Sequence, residues 1–88
     1  MPRKIRELKA QIASREFIQY SMIIQWSDRD KLFLVTIPEF EDRVVMPCTY
    51  GRTREEAIRN AEEVIEMYLE AWQAEGEAIP KPSLLQIA

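Results

Sequence analysis

The stretch between Thr53 and Gly76 constrains this chain more than any other. Thr53 and Glu56 form the T-x-x-E pattern of a capping box, in which each side chain satisfies a backbone N–H that the first turn leaves free. Glu55 and Glu56 also suit the positive end of a helix dipole. Ala57, Ile58, Ala61, Val64, Ile65, Tyr68, Leu69 and Trp72 then recur every three or four residues, which makes a wide apolar stripe. Glu62, Glu63, Glu66, Glu70 and Glu75 line the rest as a solvated face. Gly76 is the residue type that ends a helix in the left-handed conformation, and Pro80 and Pro82 follow it. A helix from Arg54 to Glu75 is about 33 Å long at about 1.5 Å per residue. Its stripe has to be buried against something.

The upstream sequence supplies a sheet. Residues 17–26 alternate, with Ile18, Tyr20, Met22, Ile24 and Trp26 on one face and Gln19, Ser21 and Gln25 on the other. Period two with aromatic and branched residues reads as a strand with one buried face. Ser27 to Asp30 is turn chemistry. Residues 31–37 (KLFLVTI) form a second strand, apolar on both faces, so each face calls for a cover. The short 27–30 link makes the pair an antiparallel hairpin, and Pro38 ends it. Residues 43–50 (RVVMPCTY) are a third strand, with Pro47 placed at an edge or a bulge. Residues 83–88 (SLLQIA) read either as a short last strand or as a tail that docks on a partner. The expected fold is α+β, β-β-β-α(-β): a three- to four-stranded antiparallel sheet with one long helix on one face.

Residues 1–15 stand apart from this body, which occupies residues 16–88. Arg3, Lys4, Arg6, Lys9 and Arg15 face only Glu7, for a net charge of +4, while the remainder carries −7. Ile5, Leu8 and Ile12 give residues 3–14 a narrow apolar stripe at helical spacing. The segment reads as a helix or a loose arm. Alone, a helix of about 12 residues is marginal in water. It carries no aromatic and no base-reading motif, so direct nucleic-acid binding is not expected of it.

Composition excludes much chemistry. The chain has 88 residues, one cysteine and no histidine. Without imidazole there is no Ser-His-Asp or Cys-His catalysis and no zinc site built on histidine. A single thiol, Cys48, forms no intramolecular disulfide and anchors no iron–sulfur cluster. It reads as a small apolar residue in a reducing, cytoplasmic setting. No run reaches the roughly 20 apolar residues of a membrane span. No cofactor is called for. At this size roughly 60–65% of the unfolded chain's surface is buried, so a homo-oligomer is the expected way to add core.

Several pieces from Tyr20 to Pro82 resemble the HicB-like antitoxin family. They are Tyr20-Ser21-Met22-Ile23-Ile24 with Trp26, Asp28 and Asp30 at the turn, and Phe33 through Phe40. Gly51-Arg52-Thr53-Arg54-Glu55-Glu56-Ala57 follows, then Asn60-Ala61, Ile65-Glu66 and Tyr68 to Ala71, and the close Gly76-Glu77-Ala78-Ile79-Pro80-Lys81-Pro82. The ordered set P-E-F, G-x-T-x-x-E-A and G-E-x-I-P carries the resemblance, over roughly two-thirds of the chain. It implies a truncated RNase H-like domain and a role in neutralising a small HicA-type toxin that cleaves mRNA. The chain departs from the family in a longer Glu41 to Pro47 link and in Lys31-Leu32 where the hairpin commonly has glycine. The operator-binding domain that usually follows in such antitoxins is not carried over to this chain.

The candidate partner-binding residues are Asp28, Asp30, Glu39, Phe40, Glu41, Asp42 and Tyr50. The five carboxylates fall in the two loops flanking the second strand and offer an acidic surface to a basic RNA-binding partner. Phe40 and Tyr50 lie outside the regular apolar pattern and are the aromatic interface candidates. Tyr20, Trp26, Phe33, Tyr68 and Trp72 are expected in the core. A metal-dependent nuclease is the least favoured reading, since it needs carboxylates converging from strands onto two metals. The leading reading is a non-catalytic antitoxin-like module. A stand-alone structural homo-oligomer is its alternative.

Overall fold

The computed structural model describes residues 19–85. It has an α+β fold, with a three-stranded antiparallel sheet and one long helix in the order β-β-β-α. Strands β1 (Ile23–Ser27), β2 (Leu32–Thr36) and β3 (Thr49–Gly51) lie in the spatial order β1-β2-β3, and α1 spans Arg54–Ala74. The basic N-terminal segment and residues 86–88 lie outside the described residues.

The hairpin forms as its turn residues require. Ile23 pairs with Thr36 and Ser27 with Leu32. Lys31 donates its N–H to the Ser27 carbonyl at 2.7 Å and adopts φ 57°, in the left-handed region. That is the conformation for which glycine is the usual choice. Ser27 Oγ accepts the Asp30 N–H at 3.1 Å, and Lys31 Nζ reaches Asp28 at 3.0 Å.

Among the described residues, the expected strand 17–26 begins at Ile23, and residues 17 and 18 lie outside them. Tyr20 leaves the strand to enter the core and donates its hydroxyl to the Pro80 carbonyl. The expected strand 43–50 shrinks to Thr49–Gly51. Pro38–Phe40 form a 3-10 turn, and the Phe40 carbonyl accepts from both Arg43 and Val44 N–H, at 3.0 and 2.9 Å. These bonds take the backbone groups that a strand there needs. The chain then passes a cis Met46–Pro47 peptide and rejoins the sheet through Cys48 N–H to Val35 O, 2.9 Å. Residues 83–85 form no strand.

The helix ends follow the sequence closely. Thr53 Oγ1 accepts the Glu56 N–H at 3.1 Å. The return bond goes one residue further back than a simple capping box, because Glu56 takes the N–H of Arg52. At the other end Gly76 sits at φ 75°, with Gly76 N–H to Gln73 O and Glu77 N–H to Trp72 O at 3.0 and 2.8 Å. This is a Schellman close. Thr53→Ala is expected to cost about 0.5–2 kcal/mol, read as a lower denaturant midpoint at unchanged slope.

The core joins Val35, Ile37 and Phe40 to Ala57, Ala61, Ile65, Leu69 and Trp72 of α1, with Tyr20. Phe40 is the hub. Its ring meets Tyr20, Tyr68 and Trp72 edge-on at 5.1, 6.3 and 4.9 Å. Of the five aromatics expected in the core, Tyr20 and Trp72 are buried, and Phe33 and Tyr68 half-buried. Trp26 is 49% exposed, because α1 lies over β3 and β2 and barely reaches β1.

Candidate partner-binding surface

The pleat assigns each strand residue to one of two faces. A Cβ on Gly51 would point into the Ala57 backbone, so Gly51 belongs to the helix side together with its partner Phe33. Arg54 stacks over the Phe33 ring at 4.9 Å, on that same side. Tyr50 and its partner Leu34 therefore face outward, as do Ile23 and Leu32. No helix covers this outer face among the described residues. Tyr50 is 57% exposed and Ile23 44% exposed, while Leu32 and Leu34 are half-buried. Among the described residues, no element is layered on the second strand's apolar outer face.

The seven candidate residues do not form one site. Asp28 and Asp30 lie exposed in the β1–β2 turn. Glu41 and Asp42 are exposed beyond the opposite end of β2. A strand of five residues separates the two groups, which is about 17 Å at about 3.3 Å per residue. Tyr50 lies on the outer face between those ends.

Phe40 is a correction. It is fully buried as the core hub, so it presents no surface to a partner. The Pro38 turn directs it inward, a feature that no periodicity along the chain encodes. Glu39 is also not a free acidic contact. Its carboxylate accepts the Ser21 N–H on both oxygens at 3.1 Å, the Ser21 hydroxyl at 3.0 Å and the Ser83 N–H at 2.8 Å. It ties the entrance of β1 to the segment after α1. The matching polar residues, Ser21 and Ser83, are 62 positions apart, so only the fold shows the arrangement.

Sequence reading also missed Arg43, whose guanidinium stacks over Trp72 at 4.6 Å and approaches Glu77 at 3.9 Å. Among the described residues no group of three His, Cys, Asp or Glu side chains could hold a metal ion, and no pocket is present. No described helix is long and apolar enough to cross a membrane.

Cys48 is half-buried, and its Sγ points to the Val35 carbonyl at 3.7 Å. Burial pushes its thiol above the usual range, against a smaller opposing effect of a backbone hydrogen bond. A raised pKa means less thiolate at a given pH. At pH 8.5 its alkylation by iodoacetamide should run slower than that of an unstructured cysteine peptide. The rate should keep climbing at pH values where the peptide has levelled off. Equal pH–rate curves would contradict the burial of this thiol.

Comparison with protein-family models, curated proteins and solved structures returns no match.

Proposed function

We propose that this chain is a non-catalytic binding module of the HicB-like type, on a truncated RNase H-like scaffold. It neutralises a small HicA-type toxin by covering the surface that cleaves mRNA. The observation that carries this reading is the outer sheet face, where exposed Tyr50 stands beside Leu34 and exposed Ile23 lies on the same face beside Thr36, with carboxylates beyond both ends of β2. Tyrosine at the centre of a surface combines a large apolar ring with a polar tip, the kind of residue that dominates interface energies. The acidic ends suit a basic RNA-binding partner, because complementary charge speeds encounter. The ordered P-E-F, G-x-T-x-x-E-A and G-E-x-I-P motifs support the same reading.

The test is an mRNA-cleavage assay with a purified HicA-type toxin encoded beside this chain. Stoichiometric addition of the chain should stop cleavage. Tyr50→Ala should weaken the inhibition on the order of tenfold or more, with an unchanged thermal midpoint. Undiminished cleavage at excess chain would reject the reading.

The outer edge of β1 favours a second reading, a stand-alone homo-oligomer. Among the described residues β1 pairs with β2 alone, and its sequence IIQWS carries no charge or proline to blunt the edge. Such edges invite pairing with another chain. Light scattering that shows self-association, with no binding to the toxin, would select it.

A further inference from the structure

The backbone groups on the free edge of β1 follow from the register. Val35 turns its carbonyl toward β3, where it accepts the Cys48 N–H at 2.9 Å. In an antiparallel ladder a residue turns its N–H and C=O to the same side, and successive residues alternate. Ile24 stands opposite Val35, so this is a non-hydrogen-bonded pair and the N–H and C=O of Ile24 point away from β2. Trp26, two residues on, turns the same way. Ser27 keeps the alternation, since its carbonyl turns toward the hairpin and accepts from Lys31. No described residue pairs with the outward backbone groups of Ile24 and Trp26. The side chains of the same two residues lie on the helix side, opposite Val35 and Phe33, yet α1 sits over β3 and β2. Ile24 is half-buried and Trp26 is 49% exposed. Unpaired backbone and uncovered apolar side chains thus coincide at Ile24 and Trp26.

We infer that β1 pairs antiparallel with β1 of a second copy of this chain, about a two-fold axis at Gln25, so that two sheets join into one of six strands. The pairing rests on the homo-oligomer reading and assigns it a surface and a register. Three observations select a second copy over some other extended chain. The first is that the hydrogen bonds close on themselves. An axis at Gln25 sets Ile24 of each copy opposite Trp26 of the other, and both residues turn their N–H and C=O to the seam. Every outward group of the two residues is then paired, residue for residue, as a two-fold contact requires. An axis at Ile24 or at Trp26 would leave the other residue opposite Met22 or Asp28, beyond the strand. The second is charge. Identical strands meet like on like, where equal charges directly opposite are destabilising, and Ile23–Ser27 carries none. The third is space. With about 4.8 Å between strands, helices over β2 and β3 of each copy lie about 19 Å apart, clear of the usual contact distance of about 8–10 Å. Ile24 and Trp26 of the two copies then cover one another on the side that α1 leaves bare. Both outer faces, each with its Tyr50, fall on the opposite side of the joined sheet.

Light scattering on the full chain across a concentration series reads the mass, and single cysteines read the register. The mass should rise from one chain to two. Gln25→Cys should form an intermolecular disulfide under mild oxidation, because a non-hydrogen-bonded antiparallel pair sets its Cα atoms about 4.5 Å apart, within the span of a disulfide. Ile23→Cys should stay uncoupled, since its counterpart is four positions out of register, about 13 Å away. Gln25 and Ile23 are exposed, so both substitutions spare the core, and the unaltered chain controls for half-buried Cys48. A single-chain mass at every concentration would overturn the inference and the homo-oligomer reading together. A two-chain mass in which Gln25→Cys stays uncoupled would overturn the inference alone and leave self-association to another surface. Coupling of Ile23→Cys as fast as that of Gln25→Cys would overturn the register and the inference with it.

Discussion

Phe40→Ala should remove about 3–5 kcal/mol of stability, the usual cost of truncating a fully buried aromatic. Phe40 has no exposed surface, and its ring touches Tyr20, Tyr68 and Trp72. Alanine loses the apolar area and also leaves a cavity among three rings held from different directions. Tyr20 is anchored to Pro80 and Trp72 is stacked under Arg43, so neither is free to collapse inward at low cost. Small domains have about 5–15 kcal/mol in total, so one substitution consumes a large share. The check is a denaturant titration, in which the midpoint falls and the slope stays near its original value. A change below about 1 kcal/mol would return Phe40 to the surface and restore it as an interface candidate.

Gly51→Ala should be nearly as damaging for the opposite reason. A Cβ at this position would sit 2.4 Å from the Ala57 nitrogen and 2.8 Å from the Ala57 Cα and the Glu56 carbonyl carbon. All three are backbone atoms of the first turns of α1, so no side chain can swing aside. Relief requires β3 and the helix start to separate. That movement disturbs the Arg52–Glu56 and Thr53–Glu56 bonds and the Asn60–Tyr50 bond together. The expected cost is about 3 kcal/mol, at the upper end for overpacking a tight site. Thermal unfolding should show it. Combining Gly51→Ala with Thr53→Ala should cost less than the separate losses added, because both act on one helix start. Full additivity would mean that the strand and the cap are independent.

The elements that the sequence made legible are those whose signal is local. The helix from Thr53 to Gly76 rests on a cap, a 3.6-residue stripe and a stop glycine, all within one window. The β1–β2 hairpin rests on two apolar runs and a polar link. Phe40 was misread because its burial depends on a 3-10 turn that swings it under α1, and a lone aromatic between Glu39 and Glu41 has no period to reveal that. Trp26 was misread for a geometric reason. Alternation states which side of the sheet it takes, but not that the helix would lie off-centre over β3. Glu39 looked like surface charge because its partners, Ser21 and Ser83, are remote in sequence. The third strand was drawn too long because apolar residues 44–46 follow the 3-10 turn rather than the ladder. In the candidate surface, Tyr50 stands out in the sequence as an interface candidate, whereas Leu34 beside it and Ile23 on the same face needed the strand register to join it.

The clamp at Glu39 has a mechanical consequence. One carboxylate holds Ser21 and Ser83, and Tyr20 holds Pro80 beside it, so both flanks of the described fold leave from a single point. Tension applied between those flanks meets this knot first and loads its bonds in parallel, before any force reaches the hairpin or the helix. The same geometry makes the fold easy to re-wire. A short link from just after Ser83 to just before Tyr20 closes the described fold into a circle and keeps Tyr20 in the core. The exposed Asp28–Lys31 turn is then the natural place to open new ends.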